Sequence, residues 1–244
     1  MKRERGVTLL ELLVAVSLLS LLSVGILFAL RVGFNSMQKA NSKLMANRRV
    51  LGVERLIENQ IAGYMPVHAD CKFSPEAPAV SMPYFQGDPD SMRFVSNYSM
   101  QEAGRGYPRI LEYQVIPGDN GNGVRLVVNE FLYSGGRSTG ASCIGQTADP
   151  LTGLNVAKFA PVQVGPASFI LADKLAFCRI LYKEEFPAPA PVRERWAPKW
   201  THQRPPSAVR IQMEPLERDP SRVQLIAITA PFRITRDPMK LYVD

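Results

Sequence analysis

From Val7 to Leu30 the residues are apolar or small, Glu11 is the one charged position, and none is charged from Leu12 onward. A basic leader, Met1-Lys2-Arg3-Glu4-Arg5, and then Gly6 precede this run. As a single helix, Val7 to Leu30 is about 36 Å long, enough to cross a bilayer. Past Arg31 the pattern changes but keeps the helical interval. Met37, Ala40, Leu44, Leu51, Leu56, Ile57 and Ile61 recur on a stripe, while Lys39, Lys43, Arg48, Arg49, Glu54 and Glu58 fill other positions. Such a stripe is expected to lie against a globular domain, and Gly63 and Pro66 are expected to stop the helix. The expected organisation is a leader over 1–6, a transmembrane helix over 7–30, its amphipathic continuation over 31–63, and a β-rich domain over 64–244.

Downstream the period shortens to that of strands. The segment from Cys71 to Met92, with Pro75, Pro78, Pro83 and Pro89, reads as irregular. Met92–Val95 is a short strand candidate. Arg109–Ile116 and Val124–Leu132 flank Gly118-Asp119-Asn120-Gly121-Asn122-Gly123 and predict a hairpin. That turn has the residue types of a calcium loop but lacks the spacing and closing acid of an EF-hand, so a turn is the preferred reading. Gly135–Gly153 reads as a loop. Phe169–Leu171 with Lys174–Lys183, then Ala208–Glu214 and Val223–Thr229, complete the strands, and Pro187–Pro206 is a Pro-rich connection. There are no internal repeats.

Composition changes this picture little. Charged residues make up 21% and hydrophobic ones 46%, which marks a globular chain. The net charge of +7 is mild and spread along the sequence, so a nucleic-acid partner is not expected. The three cysteines, Cys71, Cys143 and Cys178, cannot all pair within one chain. A periplasmic location would permit a Cys71–Cys143 disulfide, and three unpaired thiols is the other arrangement the count allows.

The N-terminal run admits three readings. A cleaved secretory signal has an apolar core of about 7–15 residues followed by a small-residue cleavage site. This run is longer, and nothing after Leu30 resembles such a site. A plain signal anchor fits the length but leaves Glu11 unexplained, and a carboxylate inside a membrane-length segment is costly enough to be read as functional. The third reading uses every feature. Basic leader, glycine, four uncharged residues, glutamate and apolar span together resemble the type III signal of type IV pilins and pseudopilins. The resemblance implies that a prepilin peptidase cuts after Gly6 on the cytoplasmic side, that Val7 becomes an N-methylated terminus, and that Glu11 sets helix register in a filament by pairing with a neighbour's terminal amine. Val7 departs from the family, which usually has Phe or Met there.

The C-terminal third extends the resemblance. A long strand, a Trp-containing loop, the strand start Pro206-Ser207-Ala208-Val209-Arg210-Ile211 and a final strand look like the J-type minor pseudopilin of type II secretion. That resemblance implies an α+β fold, with a long N-terminal pilin helix packed on an antiparallel, mostly β domain. It also implies a single-pass inner-membrane protein with a periplasmic domain at the tip of a pseudopilus. The implied partners are the I- and K-type minor pseudopilins, the major pseudopilin, and secreted substrate or the secretin. A minor pilin of a type IV pilus or competence system is the alternative within the class. A signal-anchored periplasmic binding or enzymatic domain is the alternative outside it.

Catalytic chemistry is not expected. The two histidines, His68 and His202, sit in loop-like sequence, and no nucleophile elbow, zinc-binding or phosphate-cradling pattern appears. Ser207 beside His202 is the nearest approach to a hydrolase pair, and nothing in the sequence favours that over two surface residues. No metal or cofactor is expected. Trp196 and Trp200 are candidate partner contacts, since tryptophan is favoured at interface hot spots, and the competing reading folds one or both back onto the sheet.

Overall fold

The computed structural model describes residues 8–74, 76–166, 168–186, 194–217 and 227–234. The fold is α+β: one long N-terminal helix followed by a domain built on antiparallel strands. Helix α1 spans Leu9–Ala62 without a break. The chain divides between residues 49 and 50 into two compact units, and the last turns of α1 belong to the second.

The second unit continues through short strands β1 (Tyr64–Met65), β2 (His68–Cys71), β3 (Val80–Pro83) and β4 (Gln86–Gly87). The long strands β5 (Ser91–Ser99), β6 (Gly104–Pro117) and β7 (Val124–Leu132) follow, then a short helix α2 (Gly136–Gly140). Next come β8 (Cys143–Ala148), β9 (Asn155–Phe159), β10 (Phe169–Glu185), β11 (Glu194–Ala197), β12 (Ala208–Pro215) and β13 (Ala227–Pro231). The main sheet runs β1-β5-β6-β7-β10-β12-β13, with β4 beside β5 and β11 beside β10. Hairpins β2–β3 and β8–β9 form two separate two-stranded sheets.

Strand alternation sets two cores. Phe94 pairs with Leu111, and Tyr113 with Val128, on one face. They form one buried cluster with Ile57 and Ile61 of α1, Ile180 and Tyr182 of β10, and Val209 and Ile211 of β12. Val95 pairs with Ile110, one residue out of phase and so on the opposite face. There Ala69, Cys71, Met82, Ala157 and Phe159 of the two small hairpins, with Tyr84 just after β3, cover it.

Polar anchors fix both layers. The carbonyl of Gln60 accepts the Ser96 hydroxyl at 2.7 Å, and its side-chain oxygen accepts the Tyr113 hydroxyl. Gly63 follows directly, and a Cβ there would stand 2.6 Å from Asn97 Oδ1 and 2.8 Å from Ser96 Oγ. Glycine thus lets the helix end touch β5, with the Asn97 N–H donating to the Gly63 carbonyl at 2.9 Å. On the other face Arg93, 2% exposed, donates to Glu112 at 2.7 Å, to Gln86 at 2.8 Å and to the Ala160 carbonyl at 3.1 Å. It therefore ties the end of β9 to the sheet.

Several expectations change. Within the second unit Val53, Leu56, Ile57 and Ile61 of α1 pack on the core, whereas Leu51 is exposed. Cys71–Met92 contains β3 and β4 with the last residue of β2 and the first two of β5, and Gly135–Gly153 contains α2 and β8. Their Gly, Ser and Pro content reads as loop because two-residue and four-residue strands show no period. The β6–β7 hairpin forms in register from Arg109↔Leu132 to Pro117↔Val124. Its turn uses positive φ at Asn120 (56°) and Gly121 (73°), and Asp119 is spent on Arg125. The two expected strand runs from Phe169 to Lys183 are one strand, β10, with register shifts around Ala172 and positive φ at Lys174. Residues 187–193 of the Pro-rich connection and 223–226 of the last expected strand lie outside the described residues.

Candidate functional site

Polar atoms in an apolar helix must be satisfied by the helix itself if it is to sit in hydrocarbon. Ser17, Ser20 and Ser23 meet this requirement. Their hydroxyls donate to the carbonyls of Val14, Ser17 and Leu19 at 2.9, 2.8 and 2.8 Å. Among the described residues Glu11 meets it only weakly. Thr8 is the first described residue before α1, and Thr8-x-x-Glu11 is a capping-box pair. The Glu11 N–H reaches Thr8 Oγ1 at 3.3 Å, and Glu11 Oε2 takes the Thr8 N–H and hydroxyl at 3.4 Å each. These contacts are long for hydrogen bonds to a carboxylate. They draw Glu11 toward the positive end of the helix, where a negative charge is favoured. The hydrophobic pattern does not point to Thr8, although the capping-box spacing Thr8-x-x-Glu11 is legible in the sequence.

Every large apolar side chain from Leu9 to Leu30 is exposed in the free chain. The helix is long and apolar enough to cross a membrane. Gly6 and Val7 lie outside the described residues.

In the second unit Cys71 and Cys143 form a disulfide, with Cα atoms 5.5 Å apart across 72 residues of sequence. It joins β2 to β8 and so links the two hairpins of the covering layer. Cys178 is the free thiol, and burial pushes its pKa up to about 12.

The two tryptophans separate. Trp200 is buried in the main core against Tyr182, and its indole N–H donates to the Arg204 carbonyl at 2.6 Å. Trp196 is half-buried on β11, with the Arg210 guanidinium 4.0 Å from its ring centre.

His202 and Ser207 do not form a dyad. His202 Nδ1 faces Asp149 Oδ1 at 2.9 Å and Nε2 faces Glu184 Oε1 at 3.0 Å, so both ring nitrogens are spent on carboxylates. Ser207 Oγ instead lies 3.5 Å from the Lys183 carbonyl. The imidazole clamps the β8–β9 turn to β10, and Arg195 binds Glu184 from the other side at 2.6 Å. Because the ring points its nitrogens at different carboxylates, the three groups do not converge on one ion. Among the described residues no group of three or more metal-ligating side chains is assembled.

Asp149 gives this clamp a dependence on acid pH. Burial works against its ionisation, but His202, Thr152 and the backbone N–H groups of Leu151 and Gln203 outweigh burial and hold the carboxyl at about 2. A depressed carboxyl pKa stabilises the fold above the unfolded value and loses that contribution as pH falls through the folded one. The thermal midpoint of the chain in detergent should therefore fall between pH about 4 and about 2. Asp149→Asn should flatten that part of the profile and lower the midpoint at neutral pH by a few degrees, since about 1 kcal/mol moves a domain of this size by about 2–4 °C. An unchanged acid limb in the variant would show that Asp149 does not set it.

Residues 1–27 match a protein family described as the prokaryotic N-terminal methylation motif. No curated protein and no solved structure matches the chain. The chain thus carries a type IV pilin-like prepilin signal, and the motif implies processing by a prepilin peptidase and assembly with other pilin-like subunits.

Proposed function

We propose that the protein is a minor pseudopilin, a structural subunit at the tip of a type II secretion pseudopilus that helps initiate filament assembly and protein export. It is a structural subunit rather than an enzyme. In this reading the leader over 1–6 is removed, residues 7–30 sit in the inner membrane before entering the filament, 31–63 continue the helix, and 64–244 form the periplasmic domain. The observation that carries it is Glu11, whose contacts among the described residues are all long, in an apolar helix whose serines bond their own carbonyls. Cleavage after Gly6 creates an amine on Val7, and the same group on a neighbouring subunit is the cation that Glu11 pairs with in the filament. The exposed apolar positions Met37, Leu44 and Leu51 are free to pack against neighbours in a helical filament core. The Pro206–Ile211 strand start supports the J-type assignment, with I- and K-type subunits, the major pseudopilin, and secreted substrate or secretin as partners.

The test is the intact mass and N-terminal peptide of the protein taken from native membranes. The expected result is an N-methylated Val7 terminus. A Met1 terminus in cells with active prepilin peptidase would overturn the reading and favour a simple anchor.

A further inference from the structure

Trp196 belongs to a surface that the assembly helix does not account for. It pairs with Lys183, Leu181 pairs with Arg210, and Arg210 with Thr229. Ile180, Tyr182, Val209 and Ile211 point into the core, so alternation places Trp196, Arg210 and Arg179 together on the opposite face of the β10–β13 half of the sheet. Arg210 stacks on Trp196 and donates through Nε to Thr229 Oγ1 at 3.1 Å. Arg179 lies over Phe177, 5.3 Å from the ring centre. Lys183, the third cation of the face, is already held by Glu194 and Glu185. Among the described residues neither guanidinium forms an ion pair with a carboxylate, and Glu214, opposite Phe177 on the same face, has a partner of its own.

A guanidinium stacked on an aromatic ring is held flat while its N–H edge stays open, which is the geometry that grips a carboxylate through two parallel bonds. Tryptophan and arginine are also the residues that dominate interface energetics. Arg179 is opposite Gln212, two positions along from Arg210, and such diagonal neighbours stand about 7–8 Å apart. Same-face positions on an extended strand repeat at about 6.6 Å. We propose that this face docks a neighbouring pilin-like subunit through an extended segment carrying two carboxylates at alternate positions, one for each guanidinium. The inference rests on the filament reading above and specifies the surface and the chemistry of one contact.

The test is photocross-linking of the full chain in native membranes from benzoylphenylalanine placed at Gln212, in the middle of the face. The expected product joins a pilin-like subunit at a segment with acidic residues two positions apart. Arg179→Glu with Arg210→Glu should reduce its yield at least about tenfold. Changing the mapped acids to lysine in that background should restore it. Arg179→Lys with Arg210→Lys should lose less than the reversal. A yield unaffected by charge reversal, a product on a segment without acids, or a product on lipid would overturn the proposal. If the chain co-purifies with the other subunits but gives no product, the face is excluded and the filament reading stands. If it neither co-purifies nor cross-links, both fall.

Discussion

Glu11→Ala should leave the chain in the membrane and remove it from the filament. The two effects have opposite signs because the carboxylate is unfavourable in the first environment and needed in the second. In hydrocarbon an ionised side chain costs a few kcal/mol, so alanine makes the anchor no weaker. In an assembled helix bundle, removing one member of a buried carboxylate–amine pair costs about 3–5 kcal/mol, roughly a hundredfold or more in association. The Thr8 contacts at 3.3–3.4 Å do not substitute for that pair, because they neutralise no charge. The measurement is the fraction of full-length protein in the inner-membrane pellet against the fraction cross-linked to other pilin-like subunits. Wild-type assembly with alanine at position 11 would remove the role given to Glu11.

How much of this was legible in the chain depends on the length scale of each signal. The helix was legible because a run free of charge beyond Glu11, followed by a stripe at helical spacing, leaves little alternative over so many residues. The stripe could not say where it would meet a core: within the second unit Leu51 belongs to the same stripe as Ile57 and Ile61, but only the latter two are buried against the sheet. The β6–β7 hairpin was legible because two alternating runs flank a Gly/Asn turn. The covering layer was not. Its strands are only four to six residues long, and they are held by tertiary features with no local signature: the disulfide, Arg93, and the His202 clamp. His202 shows the same limit at the level of a single residue. Its neighbour Ser207 suggests a pair by proximity in sequence, yet its partners Asp149 and Glu184 come from positions 53 and 18 residues away.

That dependence on long-range links predicts the behaviour of the disulfide. Cys71→Ala with Cys143→Ala should destabilise the second unit by about 4 kcal/mol, the loop-closure cost of a bridge spanning 72 residues. Alanine is the fitting replacement because Cys71 is fully buried among apolar groups, where a serine hydroxyl would add a separate penalty. At about 2–4 °C per kcal/mol, the thermal midpoint should drop by roughly 8–16 °C. The loss should not be uniform. The core that includes Ile57, Phe94, Tyr113 and Ile211 does not contain the disulfide, whereas Ala69, Tyr84, Ala157 and Phe159 belong to the layer it ties down. Amide exchange should therefore quicken first in β2, β3, β8 and β9, with β5, β6 and β10 protected until global unfolding. Arg93 and the His202 clamp remain in the variant, so the layer should loosen rather than detach. A midpoint within about 1 °C of wild type, or exchange raised equally across the main sheet, would show that the hairpins are held by packing alone and that the disulfide is not the link that orders them.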